Sequence, residues 1–272
     1  DALTIHERCA VLIHRAMHEG TPSKIVVAGA GVAGVETASQ LRFYLNHRLP
    51  HSGQAAGLVT VELIEGAPMI LPGMETWVQE AAVARLQALG VEIKTGLTIA
   101  KVDRQGIELR NGQRRNYDLL MWCGGIKAHH LLPALNVACS GKGQVCVEAD
   151  LTIPGHPHVS VVGDGAAFVN PATGQPLPQV ATVAVSQGRV AANNILAHMS
   201  GAPSRAYQPV EAGYVFPVGG RWAISTIGHR RTGFSAWWVR KKVDLLYYLS
   251  ILRWRHALEV FWHGGQVYLR KD

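Results

Sequence analysis

Residues 24–34, Lys-Ile-Val-Val-Ala-Gly-Ala-Gly-Val-Ala-Gly, leave this chain few ways to fold. The short apolar run predicts a buried strand. Gly29, Gly31 and Gly34 then give a G-x-G-x-x-G spacing, and residues 35–41 continue with helical periodicity. Each glycine has its own physical task. The first permits a tight turn, the second lets the backbone approach a pyrophosphate, and the third lets helix and strand pack closely. Together they aim a helix N-terminus, with its free amides and positive dipole end, at phosphate oxygens. The segment, with Ala30 and Val32 between its glycines, predicts a dinucleotide-binding α/β unit.

The order of elements agrees with that reading. Residues 1–20 carry a helical apolar pattern that stops at Gly20-Thr21-Pro22, and residues 50–57 are a polar, glycine-bearing loop. Residues 59–65 predict a second buried strand ending on an acid. Residues 75–89 predict an amphipathic helix closed by Gly90, and residues 91–95 a third strand. Two alternating segments, 99–102 and 106–109, lead to an Asn111-Gly112 hairpin turn, and residues 118–123 predict a last strand entering Gly124-Gly125. The expected organisation is a connecting helix at 1–21 and a Rossmann-like domain over 22–125. A region over 126–200 follows, with strands at 143–147 and 159–165 and a helix at 180–199. Residues 201–272 hold strands around Gly219-Gly220 and a helical tail.

Apolar residues make up 48% of the 272 and charged residues 17%, which excludes a disordered chain. The formal net charge of +7 favours anionic partners, a nucleotide or an acidic membrane surface. No nucleic-acid motif accompanies the charge, and no nucleic-acid partner is expected. Cys9, Cys123, Cys139 and Cys146 form no C-x-x-C and no zinc spacing, so they read as reduced, mostly buried thiols of a cytosolic-side protein; a redox disulfide between distant cysteines stays open. His14 and His18 can share a helix face but have no third ligand, and no metal site is expected. The sequence shows no signal peptide and no run of eighteen apolar residues. It begins at Asp1 and reads as a trimmed piece of something longer.

Three acids stand where chemistry is expected. Glu65 ends the strand after the glycine helix, where a carboxylate accepts hydrogen bonds from an adenosine ribose and repels a 2′-phosphate, favouring NADH over NADPH. The alternative is a solvated strand-end glutamate. Glu36, two residues past Gly34, is expected in the first turn of the helix. It reads either as a catalytic carboxylate beside the nicotinamide or as a favourable charge on the helix dipole. Gly163-Asp164 ends a predicted strand, where a carboxylate can bind a polyol such as the ribityl chain of a flavin; the dipeptide is also a common turn.

The tail from residue 235 contains Trp237, Trp238, Trp254 and Trp262, apolar helical stripes, and flanking Arg240, Lys241, Lys242, Arg253 and Arg255. Its uncharged stretch, residues 245–252, would reach only ~12 Å at 1.5 Å per residue, against roughly 30 Å of bilayer core. It cannot cross. It can lie in the interface with tryptophans at the headgroups, or pack on the protein or on a second subunit.

The ordered set of residues 29–34, 64–72 (Ile-Glu-Gly-Ala-Pro-Met-Ile-Leu-Pro), 120–125 (Leu-Met-Trp-Cys-Gly-Gly) and 161–164 (Val-Val-Gly-Asp) resembles the two-dinucleotide-binding-domain flavoproteins. Within them it is most similar to the type II NADH dehydrogenases, single-subunit NADH:quinone oxidoreductases. The resemblance implies a FAD domain split in sequence by an NADH domain, with electrons passing from NADH through flavin to a quinone. It implies NADH at Gly29, Gly31, Gly34 and Glu65, and FAD at Gly163 and Asp164. Gly124 would lie near both cofactors, and the helix start at Ala181 and Thr182 would face cofactor and quinone. It also implies a peripheral protein on the cytoplasmic face of the membrane, attached through the C-terminal helix, and is compatible with a homodimer.

Two departures accompany it. The family opens with a FAD-binding glycine turn that residues 1–21 do not contain, so that half is expected to be removed or supplied by another chain. Thr182 and Ser186 also stand where the family carries glutamines. The rival expectations are a sulfide:quinone or ferredoxin-type reductase, the former needing two cysteines near the flavin, and a non-catalytic NAD-binding or membrane-interaction module without flavin.

Overall fold

The computed structural model describes residues 2–50, 55, 57–104, 106–210 and 213–266; the loop expected over 50–57 lies mostly outside them. The chain forms two compact units, one of residues 1–125 with 213–272 and one of residues 126–212.

In the first unit, α1 (Ala2–His14) continues as a π-helical turn, Arg15–Glu19, and stops at left-handed Gly20. Cys9, Leu12 and Ala16 anchor it in the main core. There follow β1 (Ser23–Ala28), α2 (Val32–Arg48), β2 (Val59–Ile64), α3 (Thr76–Leu89), β3 (Val91–Lys94), β4 (Ile99–Asp103), β5 (Gly106–Leu109), β6 (Arg114–Arg115) and β7 (Leu119–Trp122). The main sheet has the order β3-β2-β1-β7 and is parallel throughout. A parallel sheet is covered on both faces, which is why β1 is apolar at every central position. Ile25 and Val27 pack in the core that includes α2 and α3, while Val26 and Ile64 pack against Ile107 and Leu109 of the small antiparallel sheet β4-β5-β6. Glu62 is buried in β2 and ion-paired to Arg115 of β6 at 2.5 Å and Lys24 of β1 at 3.5 Å.

The second unit contains β8 (Val145–Cys146), β9 (Thr152–Ile153), β10 (His156–Ser160), β11 (Ala166–Ala167) and α4 (Ala181–Met199). Leu151, Phe168, Ala191 and Tyr207 form its core. The strand expected over 159–165 is shorter. It ends at Ser160, and Gly163–Gly165 form one 3-10 turn, because Gly163 takes φ 62° and gives its amide to a side chain instead of a neighbouring strand.

The chain then returns to the first unit with β12 (Val215–Pro217), β13 (Ala223–Ser225), β14 (Arg231–Gly233), α5 (Phe234–Ile251) and α6 (Trp254–Gln266). Phe216, Val218 and Ile224 join the main core. The Gly219-Gly220 turn is pressed against α2 and α3. A Cβ at Gly219 would lie 2.6 Å from Leu89, and one at Gly220 2.5 Å from Phe43. Arg85 of α3 donates to the carbonyls of Val218 (3.1 Å) and Gly219 (3.0 Å). α5 seats Ala236 and Trp237 on Ala223 of β13. Much of the apolar surface of the two tail helices is exposed, including Trp238, Leu246, Leu249, Ile251, Trp254, Leu258 and Trp262. Among the described residues no helix is long and apolar enough to cross a membrane.

Candidate functional site

The carboxyl ends of β1, β2 and β7 converge on the glycine turn. β1 lies at the centre, with its crossover to β2 on one side and β7 on the other, which is the switch point where open α/β sheets bind ligands. Gly29 takes φ 96°, and its amide donates to Ile64 at 2.8 Å. A Cβ there would stand 2.6 Å from the carbonyl oxygen of Cys123, so this glycine lets the end of β7 approach. A Cβ at Gly34 would lie 1.8 Å from the carbonyl oxygen of Gly29, so only glycine lets α2 sit against the turn. A Cβ at Gly31 would meet nothing within 4 Å. That open space adjoins the N-terminus of α2, whose first amides, starting at Val32, have no intrahelical acceptor. The geometry fits an anionic, phosphate-bearing ligand.

Glu65 sits just past β2. One oxygen accepts the Ala30 amide at 2.6 Å and the other the Ala67 amide at 2.9 Å. A carboxylate has about four lone-pair sites, so acceptor capacity remains for a ribose while the group braces the turn. Ala30 is buried, and its carbonyl accepts the Leu71 amide at 2.8 Å. Gly124 abuts Gly29, and its own position is crowded by the Trp122 indole, to which a Cβ would approach 2.9 Å. Cys123 Sγ lies 3.9 Å from Thr37 Oγ1 of α2.

Glu36 is the fifth residue of α2 and not in its first turn, because the helix opens at Val32. That removes the basis for a dipole role, which fades beyond the first turn. Its carboxylate instead lies 3.8 Å from Arg240 of α5, whose Nε donates to Asp244 at 2.8 Å. Burial pushes the Glu36 carboxyl up, and the Arg240 charge partly offsets that rise. The sequence reading missed Arg240 as its partner. It also missed Leu71.

In the second unit, Gly163 and Asp164 form a turn held by three glutamines. The Gly163 amide donates to Gln187 Oε1 at 2.7 Å, and the Asp164 carbonyl accepts from Gln144 (3.3 Å) and Gln179 (3.0 Å). Gln187 is buried and points back from α4. The Asp164 side chain is left exposed, as are Ala181 and Thr182 at the start of α4. An exposed carboxylate on a braced turn is a chemically suitable partner for a polyol. Ser186 faces inward, bonded to the Tyr207 hydroxyl at 2.8 Å, so it serves packing. All four cysteines are free thiols, with Cys9 buried and the others half-buried. Among the described residues no three His, Cys, Asp or Glu side chains are grouped to hold a metal.

The profile of the pyridine nucleotide-disulphide oxidoreductase family matches residues 5–188. The chain is 31% identical over 270 residues to the type II NADH:quinone oxidoreductase Ndh of Mycobacterium tuberculosis, covering 92% of this chain and 57% of that protein. It is 27% identical over 224 residues to the type II NADH:quinone oxidoreductase of Staphylococcus aureus, covering 81% and 56%. The chain thus spans little more than half the length of these relatives. Among solved structures, NDH2 from Plasmodium falciparum in complex with NADH superposes with a TM-score of 0.81 at 13% identity, over 98% of this chain and 71% of that one. A NAD-dependent persulfide reductase from A. fulgidus gives 0.58 at 21% identity, over 78% and 37%. These two likenesses are of fold. With the turn, the sheet order and the family match together, this chain belongs to the pyridine nucleotide-disulphide oxidoreductase family, in the superfamily that includes the type II NADH:quinone oxidoreductases.

Proposed function

We propose that the chain is the NADH-binding portion, with part of the FAD-binding portion, of a type II NADH:quinone oxidoreductase. The observation that carries this is the convergence of Gly29, Gly31, Gly34, Glu65 and Gly124 at the carboxyl end of the parallel sheet, with open space over Gly31. In this reading the amides at the start of α2 hold the pyrophosphate. The remaining acceptor capacity of Glu65 takes the adenosine ribose and disfavours a 2′-phosphate. Glu36 carries its charge one helical turn further on, within reach of Arg240. Gly163 and Asp164, with Ala181 and Thr182 at the start of α4, contribute to the FAD site. FAD, when bound, supplies the redox chemistry between nicotinamide and acceptor; the protein binds and orients.

The acceptor in this reading is a quinone. The exposed tryptophans and flanking basic residues of α5 and α6 hold the protein peripherally at the cytoplasmic face of a membrane, as a monomer or homodimer. The test is spectroscopic. The whole enzyme of which this chain is proposed to be a portion, once purified, is expected to show a flavin absorption band that NADH bleaches and a quinone restores. NADH binding without flavin would favour a non-catalytic NAD-binding module. Bleaching of the flavin by sulfide as the electron donor, lost on replacing Cys123 or Cys139, would favour a sulfide:quinone reductase.

A further inference from the structure

We propose that Leu71 is a positioning residue for the dinucleotide, acting through the backbone of the glycine turn; this rests on the NADH reading above. Leu71 has φ 51°, in the left-handed region where glycine and asparagine are the usual occupants and leucine is uncommon. Its side chain is buried in the main core, and its carbonyl accepts from the Met74 amide and from Gln79 Nε2, both at 3.1 Å. The core therefore fixes an unfavourable backbone conformation, and that conformation turns the Leu71 amide onto the Ala30 carbonyl at 2.8 Å.

The Ala30 carbonyl and the Gly31 amide belong to one planar peptide group. A hydrogen bond onto the carbonyl sets the plane of that group and so the direction in which the Gly31 N–H points. It also polarises the group, making the amide a better donor. Glu65 holds the preceding peptide through the Ala30 N–H at 2.6 Å. The two successive peptides entering α2 are thus clamped from the segment that follows β2, and Gly31 is the position beside open space. Leu71 thereby aims the amide that meets the pyrophosphate, without its side chain touching the ligand.

The test compares Leu71→Gly and Leu71→Val in the full chain, with NADH affinity measured by calorimetry and stability by thermal melting. A role in packing alone ranks the variants by lost volume, with Val closer to wild type in both measurements. The positioning role reverses the affinity order. Glycine adopts φ near 50° freely and keeps Kd within about threefold, whereas a β-branched residue leaves that region and weakens binding roughly tenfold. Leu71→Gly is expected to melt lower than Leu71→Val yet bind NADH tighter than Leu71→Val. Equal affinities, or tighter binding by Leu71→Val, would overturn the positioning role while leaving the NADH reading intact. Wild type that binds no NADH would overturn the NADH reading instead. Amide exchange in the ligand-free protein tells the failures apart. The Leu71 amide is expected to be protected in wild type and Leu71→Gly and open in Leu71→Val, and protection in all three would count against the positioning geometry.

Discussion

The guanidinium of Arg240 stands 3.8 Å from the carboxylate of Glu36, joining the helix of the glycine turn to the first helix of the C-terminal tail. Burial raises the Glu36 carboxyl above its ordinary 4.5, and Arg240 holds the rise in check. A carboxyl raised in the folded state binds its proton more readily there than in the unfolded chain. Its ionised form weighs against folding above the raised value, and that penalty disappears as pH falls through it. Arg240→Gln is expected to move the Glu36 titration further up, read by carboxyl NMR, and to steepen the loss of thermal stability as pH rises above 4.5. Glu36→Gln is expected to remove that dependence. A Glu36 titration indifferent to Arg240→Gln would mean the pair is too solvated to matter.

Gly31 and Gly34 are expected to fail in different ways. Gly34→Ala places a methyl 1.8 Å from a backbone oxygen, so α2 must shift. Overpacking of this kind costs about 1–3 kcal/mol and sometimes more, visible as a lowered Tm. Gly31→Ala meets no protein atom, and the melting temperature should hold. In the proposed reading its methyl instead occupies the space of the dinucleotide. Losing one phosphate–amide hydrogen bond to a charged group, about 1.5–3 kcal/mol, corresponds to roughly ten- to hundredfold in NADH Kd. If Gly31→Ala binds NADH normally, the pyrophosphate does not sit there.

Arg115→Met leaves the buried Glu62 carboxylate with Lys24 as its one remaining ion-pair partner among the described residues. Removing one member of a buried pair typically costs about 3–5 kcal/mol, whereas replacing both with apolar residues is often neutral. The double variant Glu62→Leu/Arg115→Met is therefore expected to recover most of the stability lost by the single one. Denaturant melts of the two variants and wild type decide it. A double variant as unstable as Arg115→Met would show that the pair does more than neutralise itself.

Trp254→Glu with Trp262→Glu puts two charges on the exposed apolar surface of α6. Cosedimentation with vesicles containing anionic lipid is expected to fall sharply, with NADH affinity unchanged. Raising the salt concentration should weaken wild-type binding as well, since each basic residue near such a surface contributes about 1 kcal/mol. Undiminished cosedimentation of the double variant would point the tail toward protein contacts.

The parallel strands and the helices between them were legible because their signals are local. Ile25 to Ala28, Val59 to Ile64 and the helix closed by Gly90 each carry their period within a few residues. The three glycines were legible for the same reason. Glu65 was legible as an acid at a strand end, but its bond to the Ala30 amide spans 35 residues and leaves no trace in local pattern. Leucine has no left-handed preference, so nothing in the sequence announced Leu71. Gly163 misled in the other direction. The apolar run before it reads as strand, yet its left-handed backbone and its bond to Gln187 end the pairing early. The Glu36–Arg240 contact joins residues far apart in sequence, beyond what periodicity can report.

Phe216, Val218 and Ile224 complete the core that β1 to β7 begin, and the Gly219-Gly220 turn is pressed against α2 and α3. On the ribosome this imposes a wait. Residues 126–212 are synthesised between the two halves of that core. At about 5–20 residues per second, the nascent sheet and its helices keep an apolar flank uncovered for roughly 5–20 seconds. Chaperone demand should peak in that interval, and a ribosome stalled inside the 126–212 stretch would hold an unfinished and adhesive nucleotide fold.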